Sequence, residues 1–121
     1  MTSNPLLDLR TLEDLDQLFA DASGPVLLFK HSPTCGTSAM AHEEVSDLLA
    51  GAPIGARVGL VLVQAARPVS NAVAERFGVR HESPQVLLIQ GDRVVWQASH
   101  FGVTADAIRE AIGRLGVPSA H

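Results

Sequence analysis

The sequence predicts an α/β fold with one mixed four-stranded sheet and helices on both of its faces. Two apolar runs in the first half are separated by a segment of helical length. Two more near the C-terminus are joined by a two-residue turn, and amphipathic segments precede and follow these runs. The 121 residues fit one domain. We therefore expect a single domain over residues 1–121, with its core at about 11–116.

The N-terminal half predicts an arm, a helix, a strand and a second helix. Residues 1–10 are expected to form an extended arm. Thr11 is suited to cap a first helix, because apolar residues follow it at helical spacing. The apolar run 26–30 is short and bounded by helix breakers, which is typical of a strand buried on both faces. The next helix is predicted from position 35 to about position 50.

The middle of the chain predicts a second strand and a third helix. The apolar run 58–63 lacks clean alternation, as the first run does, and indicates another buried strand. A helix is expected to begin near position 68 and to end near position 77. Ser70 is a candidate cap for it, and Gly78 is its predicted C-terminal stop.

The C-terminal part predicts a β-hairpin and a last helix. Runs 85–90 and 93–98 are joined by a tight turn, and Thr104 is suited to cap the helix that follows. The two early strands should be parallel, because a helix of crossover length separates them. The hairpin then adds antiparallel strands to the same sheet. This order of elements is the arrangement of thioredoxins and glutaredoxins.

Composition excludes several classes of function. The net charge is −4 and no basic run exists, which argues against nucleic-acid binding. No stretch approaches the roughly 18 apolar residues of a membrane span, so no membrane partner is expected. The first residues are acidic and lack the order of a signal peptide, so a cytoplasmic location is expected. The five histidines and the single cysteine show no metal-site spacing, so no metal is predicted.

Cys35, the only cysteine of the chain, is the candidate catalytic residue. A cysteine at the start of a helix lies among unpaired backbone N–H groups and at the positive end of the helix dipole, and both stabilise a thiolate. Its neighbours are small or polar and leave access for a partner; they are Ser32, Pro33, Thr34, Gly36, Thr37 and Ser38. The alternative is a buried structural cysteine, since free cysteines are often buried.

Ser38 occupies the position where a dithiol redox enzyme has its resolving cysteine. A serine forms no disulfide, although its hydroxyl can donate a hydrogen bond to a nearby sulfur. The pattern therefore predicts a monothiol route, in which a mixed disulfide on Cys35 persists until an external thiol resolves it. The alternative is that Ser38 is a solvent-exposed helix residue.

Ser83 and Pro84 directly precede a predicted strand. In a thioredoxin-like arrangement a proline at this place is cis and lies beside the reactive cysteine, where the preceding residue pairs with an extended substrate. We therefore predict a cis Ser83–Pro84 bond and a substrate-binding role for both residues. Without the fold context, Pro84 would be an ordinary proline at a strand entrance.

Basic residues near the predicted site have two interpretations each. His31 is a candidate active-site residue, but a histidine at a strand end is more often structural. Lys30 either supplies positive potential or is a solvated strand end. His81 and His100 flank the hairpin, where they either rim the site or have structural or solvated roles.

Three ordered blocks of sequence carry a resemblance to a known family. The segment 30–35, KHSPTC, resembles the active segment of the monothiol bacilliredoxins, also called YtxJ-like proteins. Similarity continues through residues 67–85 and again through residues 95–100, and it spans nearly the whole chain. Gly36 departs from the pattern, because the residue after the cysteine is usually proline in this family.

The resemblance implies a thioredoxin fold and thiol–disulfide oxidoreductase activity. Members are thought to remove the small thiol bacillithiol from S-bacillithiolated proteins and to take it onto their own cysteine, here Cys35. The implied partners are S-bacillithiolated proteins and bacillithiol itself, which acts as co-substrate, and no tightly bound cofactor is expected. Two alternatives remain open. Cys-Gly-x-Ser is also the motif of monothiol glutaredoxins that carry iron–sulfur clusters, and the chain could be a non-catalytic binding module.

Overall fold

The computed structural model describes residues 6–21, 24–33 and 36–116. In this part of the chain, strands and helices alternate around one sheet. The strands are β1 Leu6–Asp8, β2 Val26–His31, β3 Arg57–Leu62, β4 Gln85–Gln90 and β5 Arg93–Ser99. The helices are α1 Leu12–Asp21, α2 Gly36–Ala50, α3 Arg67–Phe77 and α4 Ala105–Gly116, with a 3₁₀ turn at His100–Gly102 between β5 and α4.

The sheet has the strand order β1-β3-β2-β4-β5. β2 is parallel to β3, which confirms the crossover predicted from the helix between them. β2 is antiparallel to β4, and β4 is antiparallel to β5, as the hairpin predicted. The mixed sheet places β2 at the centre, so the loop after β2 lies between neighbouring strands rather than at a sheet edge.

The sheet has five strands, and the prediction of four was wrong by one. The additional strand is β1, which pairs in parallel with β3 at the edge of the sheet. Its three residues are exposed, and only the following Leu9 is buried, with its backbone N–H bonded to the Leu60 carbonyl at 2.9 Å. Three residues are too few to show a period of two, so the sequence indicated only an extended arm.

Capping residues begin two helices as the sequence predicted. Asp14 donates its backbone N–H to Thr11 Oγ1 at 3.1 Å, and Thr11 donates its own to Asp14 Oδ2 at 3.2 Å, which is a reciprocal cap. At α4, Thr104 Oγ1 accepts the N–H of Ala107 at 3.1 Å.

The start of α3 differs from the prediction. The helix begins at Arg67, is preceded by Ala66 and has no side-chain cap, so the assignment of Ser70 as its cap was wrong. Ser70 lies inside the helix and is buried, and its Oγ lies 3.3 Å from His81 Nδ1. At the other end, Gly78 adopts the left-handed conformation that stops the helix, as predicted (φ 63°).

Two core clusters lie on the two faces of the sheet, and β2 contributes alternate residues to each. Leu27 and Phe29 pack on one face with α2 and α4, while Val26 and Leu28 pack on the other with α1 and α3. All six residues of β2 are buried. This explains the continuous apolar run, since a strand covered on both faces has no solvent-exposed face.

Gly59 of β3 lets α1 and the chain after β1 approach the sheet closely. A Cβ at this position would lie 2.7 Å from Leu9 Cδ1 and 2.8 Å from Leu18 Cδ2. Both leucines are buried, so their side chains have little room to move.

We therefore expect Gly59→Ala to lower the free energy of unfolding by about 1–2 kcal/mol through overpacking. Urea unfolding measures this change. Gly113→Ala is the matched control, because that glycine lies in α4 and a Cβ there would have no neighbour within 4 Å. The control should gain about 0.5–1 kcal/mol from helix propensity. Equal effects of the two substitutions would contradict the packing argument.

Candidate active site

The predicted site is assembled from the end of β2, the start of α2 and the loop before β4. β2 ends at His31 and α2 begins at Gly36. Thr34 and Cys35 fall between these elements and lie outside the described residues. Of the other predicted site residues, Gly36 is exposed, Thr37 is partly exposed and Ser38 is fully buried. The interpretation of Ser38 as a solvent-exposed helix residue was therefore wrong.

Ser38 holds the loop after β2 against the first turn of α2. Its Oγ accepts the backbone N–H of Ser32 at 2.9 Å and lies 2.9 Å from His31 Nδ1. The Ser32 hydroxyl in turn accepts a hydrogen bond from Gln64 Nε2 at 2.6 Å. Ser32 is buried, so the expectation that it leaves access for a partner was wrong, and its contact with Gln64 was not predicted, because residues 32 positions apart give no local signal of such a contact.

His31 is buried, and the structure brings it into direct contact with Ser38 as a hydrogen-bonded partner. Its ring lies against two other rings, with centroid distances of 4.7 Å to His42 and 5.5 Å to Phe29. Burial and then the nearby His42 lower the pKa of His31 below its ordinary value of 6.5. At neutral pH the imidazole is therefore predominantly neutral.

The loop before β4 carries the predicted cis bond. The Ser83–Pro84 peptide is cis, and the Pro84 carbonyl accepts the backbone N–H of His100 at 3.0 Å. Glu82 also joins this loop to the end of β5, because its Oε1 accepts the Ser99 hydroxyl at 3.2 Å and lies 3.5 Å from His100 Nδ1. Ser83 Oγ is buried and has no hydrogen-bond partner among the described residues.

Lys30, the only lysine of the chain, is completely buried. The interpretation of Lys30 as a solvated strand end was therefore wrong. Its Nζ lies 3.1 Å from His81 Nδ1, and Ser70 Oγ lies 3.3 Å from the same ring nitrogen. In the sheet, Lys30 is directly opposite Gln85, the residue that follows the cis proline.

The charges of Lys30 and His81 are coupled. Burial lowers the pKa of Lys30 from 10.5 to about 8, so its ammonium is largely retained at pH 7. Burial, followed by the positive charges of Lys30 and Arg67, lowers the pKa of His81. The ammonium therefore donates to a neutral His81. The result is a buried cation, Lys30, next to the loop of the cis proline.

A groove of mixed polar and apolar lining adjoins the start of α2. It has a volume of about 160 Å³ and lies between α2 and the 3₁₀ turn. Thr37 and Met40 form one side, while His100 and Phe101 form the other. Phe101 is 73% exposed and Met40 is 57% exposed. Trp96 of β5 is partly buried and packs against the core.

Two kinds of feature are absent from the described ranges. Among residues 6–21, 24–33 and 36–116, no three His, Cys, Asp or Glu side chains group as they would to hold a metal ion. In the same ranges, no helix has both the length and the apolar character needed to cross a membrane.

Comparison with protein families identifies the chain. The model of the family described as "Monothiol bacilliredoxin BrxC" matches residues 7–108. The chain belongs to the monothiol bacilliredoxin family. This bacilliredoxin match includes the segment of Cys35, the whole of α2 and α3, and the cis-proline loop. It confirms the family resemblance carried by the sequence blocks.

Solved structures similar to this bacilliredoxin share the thioredoxin fold. A proposed oxidoreductase with a thioredoxin fold is 25% identical, with a TM-score of 0.78 over 88% of this chain and 92% of that one. A mutant thioredoxin from Halobacterium salinarum NRC-1 is 22% identical, with a TM-score of 0.72 over 94% and 93%. Thioredoxin from Fasciola hepatica is 18% identical, with a TM-score of 0.71 over 89% and 97%. Family and fold together support a thiol redox function.

The buried charge of Lys30 predicts an unusual dependence of stability on pH. Between about pH 8 and pH 10.5 the unfolded chain holds a proton on Lys30 that the folded chain has released. Stability should therefore rise with pH in this interval, by about 3 kcal/mol at most. Lys30→Met removes the group, so the rise should disappear and the variant should be more stable than the wild type at pH 7.

Urea unfolding of the wild type and of Lys30→Met at pH 7 to 10 tests this prediction. Both proteins also carry Cys35→Ser, which removes the titration of the thiol. The chain has no tyrosine, so few other groups titrate in this interval. Arg67→Met is the matched control, since it removes an exposed cation near His81 and should keep the rise. The same rise in the Lys30→Met protein would show that Lys30 is not the source.

Proposed function

We propose that this bacilliredoxin is a monothiol thiol–disulfide oxidoreductase that removes bacillithiol from S-bacillithiolated proteins. The observation that carries the proposal is the family match over residues 7–108, in a chain whose only cysteine is Cys35. Bacillithiol is a second substrate in this proposal. Proteins that carry it are the partners.

The position of Cys35 in the sequence supports its role as nucleophile. α2 begins at Gly36 and is 15 residues long, so position 35 directly precedes a helix with a full dipole. A thiolate at such a position is stabilised by the unpaired N–H groups of the first turn. The surface beside Gly36 is open to a partner, because even a Cβ at this position would have no neighbour within 4 Å among the described residues.

The proposed reaction has two exchange steps. The Cys35 thiolate attacks the bacillithiol sulfur of the mixed disulfide, the bond to the target protein breaks, and the target leaves as a thiolate that takes up a proton. Cys35 is then joined to bacillithiol by a new disulfide. The thiolate of a second bacillithiol attacks the bacillithiol sulfur of this adduct, which restores the Cys35 thiolate and yields bacillithiol disulfide.

Ser38 supports the monothiol character of this sequence of steps. It occupies the place of a resolving cysteine, and a hydroxyl cannot form a disulfide. Its Oγ is already bonded to Ser32 and close to His31, so the serine has a defined structural place. In this proposal Thr34, Gly36 and Thr37 surround the thiolate.

We assign the substrate-side contact to Ser83 and Pro84. Their loop is joined to the end of β5 through the His100 backbone and through Glu82. The exposed Phe101 and Met40 border the same end of the molecule, where they offer apolar surface to the target protein.

Intact mass spectrometry tests the proposal directly. Reduced wild-type protein, incubated with a bacillithiolated protein, should gain the mass of one bacillithiol while the target loses it. Cys35→Ser should gain nothing and leave the target modified. Ser46→Ala, an exposed serine of α2, is the control and should behave as the wild type. Transfer by the Cys35→Ser protein at the wild-type rate would disprove the proposal.

Restoring a resolving cysteine tests the monothiol step. In Ser38→Cys the adduct should be short-lived, because the new thiol attacks Cys35 and releases bacillithiol, leaving an internal disulfide that lacks two hydrogens. Ser46→Cys is the matched control: it has the same number of cysteines, but the new one lies 11 positions from Cys35, about 16 Å along a helix. A persistent adduct on Ser38→Cys would contradict the predicted neighbourhood of positions 35 and 38.

The motif Cys35-Gly36-Thr37-Ser38 also fits the iron–sulfur carriers named above. Cluster ligation uses thiolates as well, so the two functions share the nucleophile. Anaerobic reconstitution separates them, because a coloured dimer that is lost in Cys35→Ala would favour the carrier. Reduction that is stoichiometric and never catalytic would instead indicate a binding module.

A further inference from the structure

Lys30 is a buried cation for which the described residues supply no counter-ion. An ammonium group has three N–H donors, and the one hydrogen-bond partner of Lys30 among the described residues is His81 Nδ1, at 3.1 Å. None of the ion pairs in the described ranges includes Lys30 or Arg67. A buried charge is costly without an opposite charge close to it, so an anion bound beside this group would offset part of that cost.

The contact with Lys30 decides which nitrogen of His81 carries the ring proton. Because the ammonium donates to Nδ1, the proton of the neutral ring is on Nε2. Nδ1 also lies 3.3 Å from Ser70 Oγ, so this side of the ring is turned toward α3. His81 is an exposed residue, and its Nε2 has no hydrogen-bond partner in the described part of the chain. The Nε2–H group is therefore a donor left for an outside partner, with a positive charge on the opposite side of its ring.

Arg67 places a second cation beside this donor. It is the first residue of α3, and Ser70, which lies against the His81 ring, follows one turn later. Burial, then Lys30 and then Arg67 lower the pKa of His81, so the guanidinium is close enough for its charge to act on the ring. Arg67 is exposed, and the first turn of α3 contains no acidic residue. The surface formed by Arg67 and His81 is therefore electropositive.

Glu82 is the acidic residue whose charge opposes these cations. Its negative charge counteracts the lowering of the pKa of His81. However, its Oε1 accepts the Ser99 hydroxyl at 3.2 Å and lies 3.5 Å from His100 Nδ1. The carboxylate is thus held at the end of β5, and it leaves the donors of Arg67 and His81 available to a ligand.

The donors at this surface suit a carboxylate better than a phosphate. Helix starts that bind phosphate use several free backbone N–H groups. The second residue of α3 is Pro68, which has no N–H, and the N–H groups of Val69 and Ser70 both donate to the Ala66 carbonyl at 3.0 Å. Side chains must therefore hold the anion. A guanidinium fork with one ring N–H matches the two oxygens of a carboxylate.

This electropositive surface lies at the edge of the sheet where the loop after β2 begins. β2 and β3 are parallel, so Lys30 near the end of β2 and Arg67 after the end of β3 are at the same edge. Gln64 Nε2 donates to Ser32 Oγ at 2.6 Å, which joins the loop after β3 to the loop after β2. A ligand held here is therefore beside the loop that leads into α2.

We propose that Arg67 and the Nε2 edge of His81 bind a carboxylate, with the Lys30 ammonium behind the ring, and that the small thiol of the reaction carries this carboxylate. The inference rests on the proposed function, in which a small thiol is exchanged at this end of the molecule. No bond to the carboxylate forms or breaks. The contact holds the thiol in place while its sulfur reacts.

Nitrogen NMR with succinate tests the binding site, because succinate has carboxylates and no thiol. The experiment is done at pH 7 and constant ionic strength, with sodium chloride as the reference salt and His81→Gln to assign the ring signals. In the wild type these signals should shift and saturate in the millimolar range. Arg67→Met and Lys30→Met should each weaken binding by roughly fivefold, since each removes one positive charge close to the carboxylate.

Arg93→Met is the matched control for the loss of a cation. Arg93 is exposed and pairs with Gln90, at the opposite end of β4 from the cis proline, so this variant should bind succinate as the wild type does. Equal binding by the wild type and Arg67→Met, or no saturable shift in the wild type, would overturn the proposal. Tighter binding of inorganic phosphate than of succinate would overturn the assignment to a carboxylate.

Two small disulfides test whether the reacting thiol carries the carboxylate. Dithiodiglycolate has a carboxylate on each half, whereas hydroxyethyl disulfide is neutral. Intact mass spectrometry gives the rate at which the reduced protein forms an adduct with each, and the ratio of the two rates is compared. This ratio should fall by roughly fivefold in Arg67→Met and keep its wild-type value in Arg93→Met. An unchanged ratio in Arg67→Met would overturn the assignment to the thiol.

Succinate binding is independent of the thiol reaction. A protein that binds succinate as expected and gains no bacillithiol adduct would retain the carboxylate site and lose the proposed function. A protein that forms the adduct and does not bind succinate would do the reverse.

Discussion

The burial of β2 on both faces is the constraint on which the rest of the structure depends. All six residues of this central strand are covered, and the last two of them are Lys30 and His31. Adjacent residues of a strand point to opposite faces of the sheet. A buried polar group is costly without a partner. Each face must therefore supply hydrogen-bond partners at the same end of the strand.

The two faces meet this requirement with different chemistry. On the side of α3, the Lys30 ammonium reaches His81, whose Nδ1 is also close to Ser70. On the side of α2, His31 reaches Ser38, which also accepts the N–H of Ser32. One side thus carries a buried positive charge, and the other carries a neutral hydrogen-bonded network. The segment that contains Cys35 follows directly from this strand end.

This arrangement gives a physical meaning to the missing second cysteine. In a dithiol enzyme the fourth position of the motif is a sulfur that reacts, whereas here it is a hydroxyl fixed by two buried neighbours. In the proposed monothiol reaction this position holds the loop after β2, and the second thiol comes from solution. Gly36 adds no side chain at the start of α2, and a Cβ there would meet no atom within 4 Å among the described residues.

The sequence by itself determined the order of the elements, the direction of the inner strands, the caps at Thr11 and Thr104, and the family. These features are local or repeat at a fixed period, so neighbouring residues carry them. The tertiary structure decided what depends on distant partners. It added β1, which exists only through pairing with β3, and it buried Ser38 and Lys30, which the sequence had allowed to be solvated. Contacts such as that of Lys30 with His81, 51 positions apart, leave no mark on either segment. They arise only when the sheet brings those segments together, because only then does a polar side chain meet the group that satisfies it.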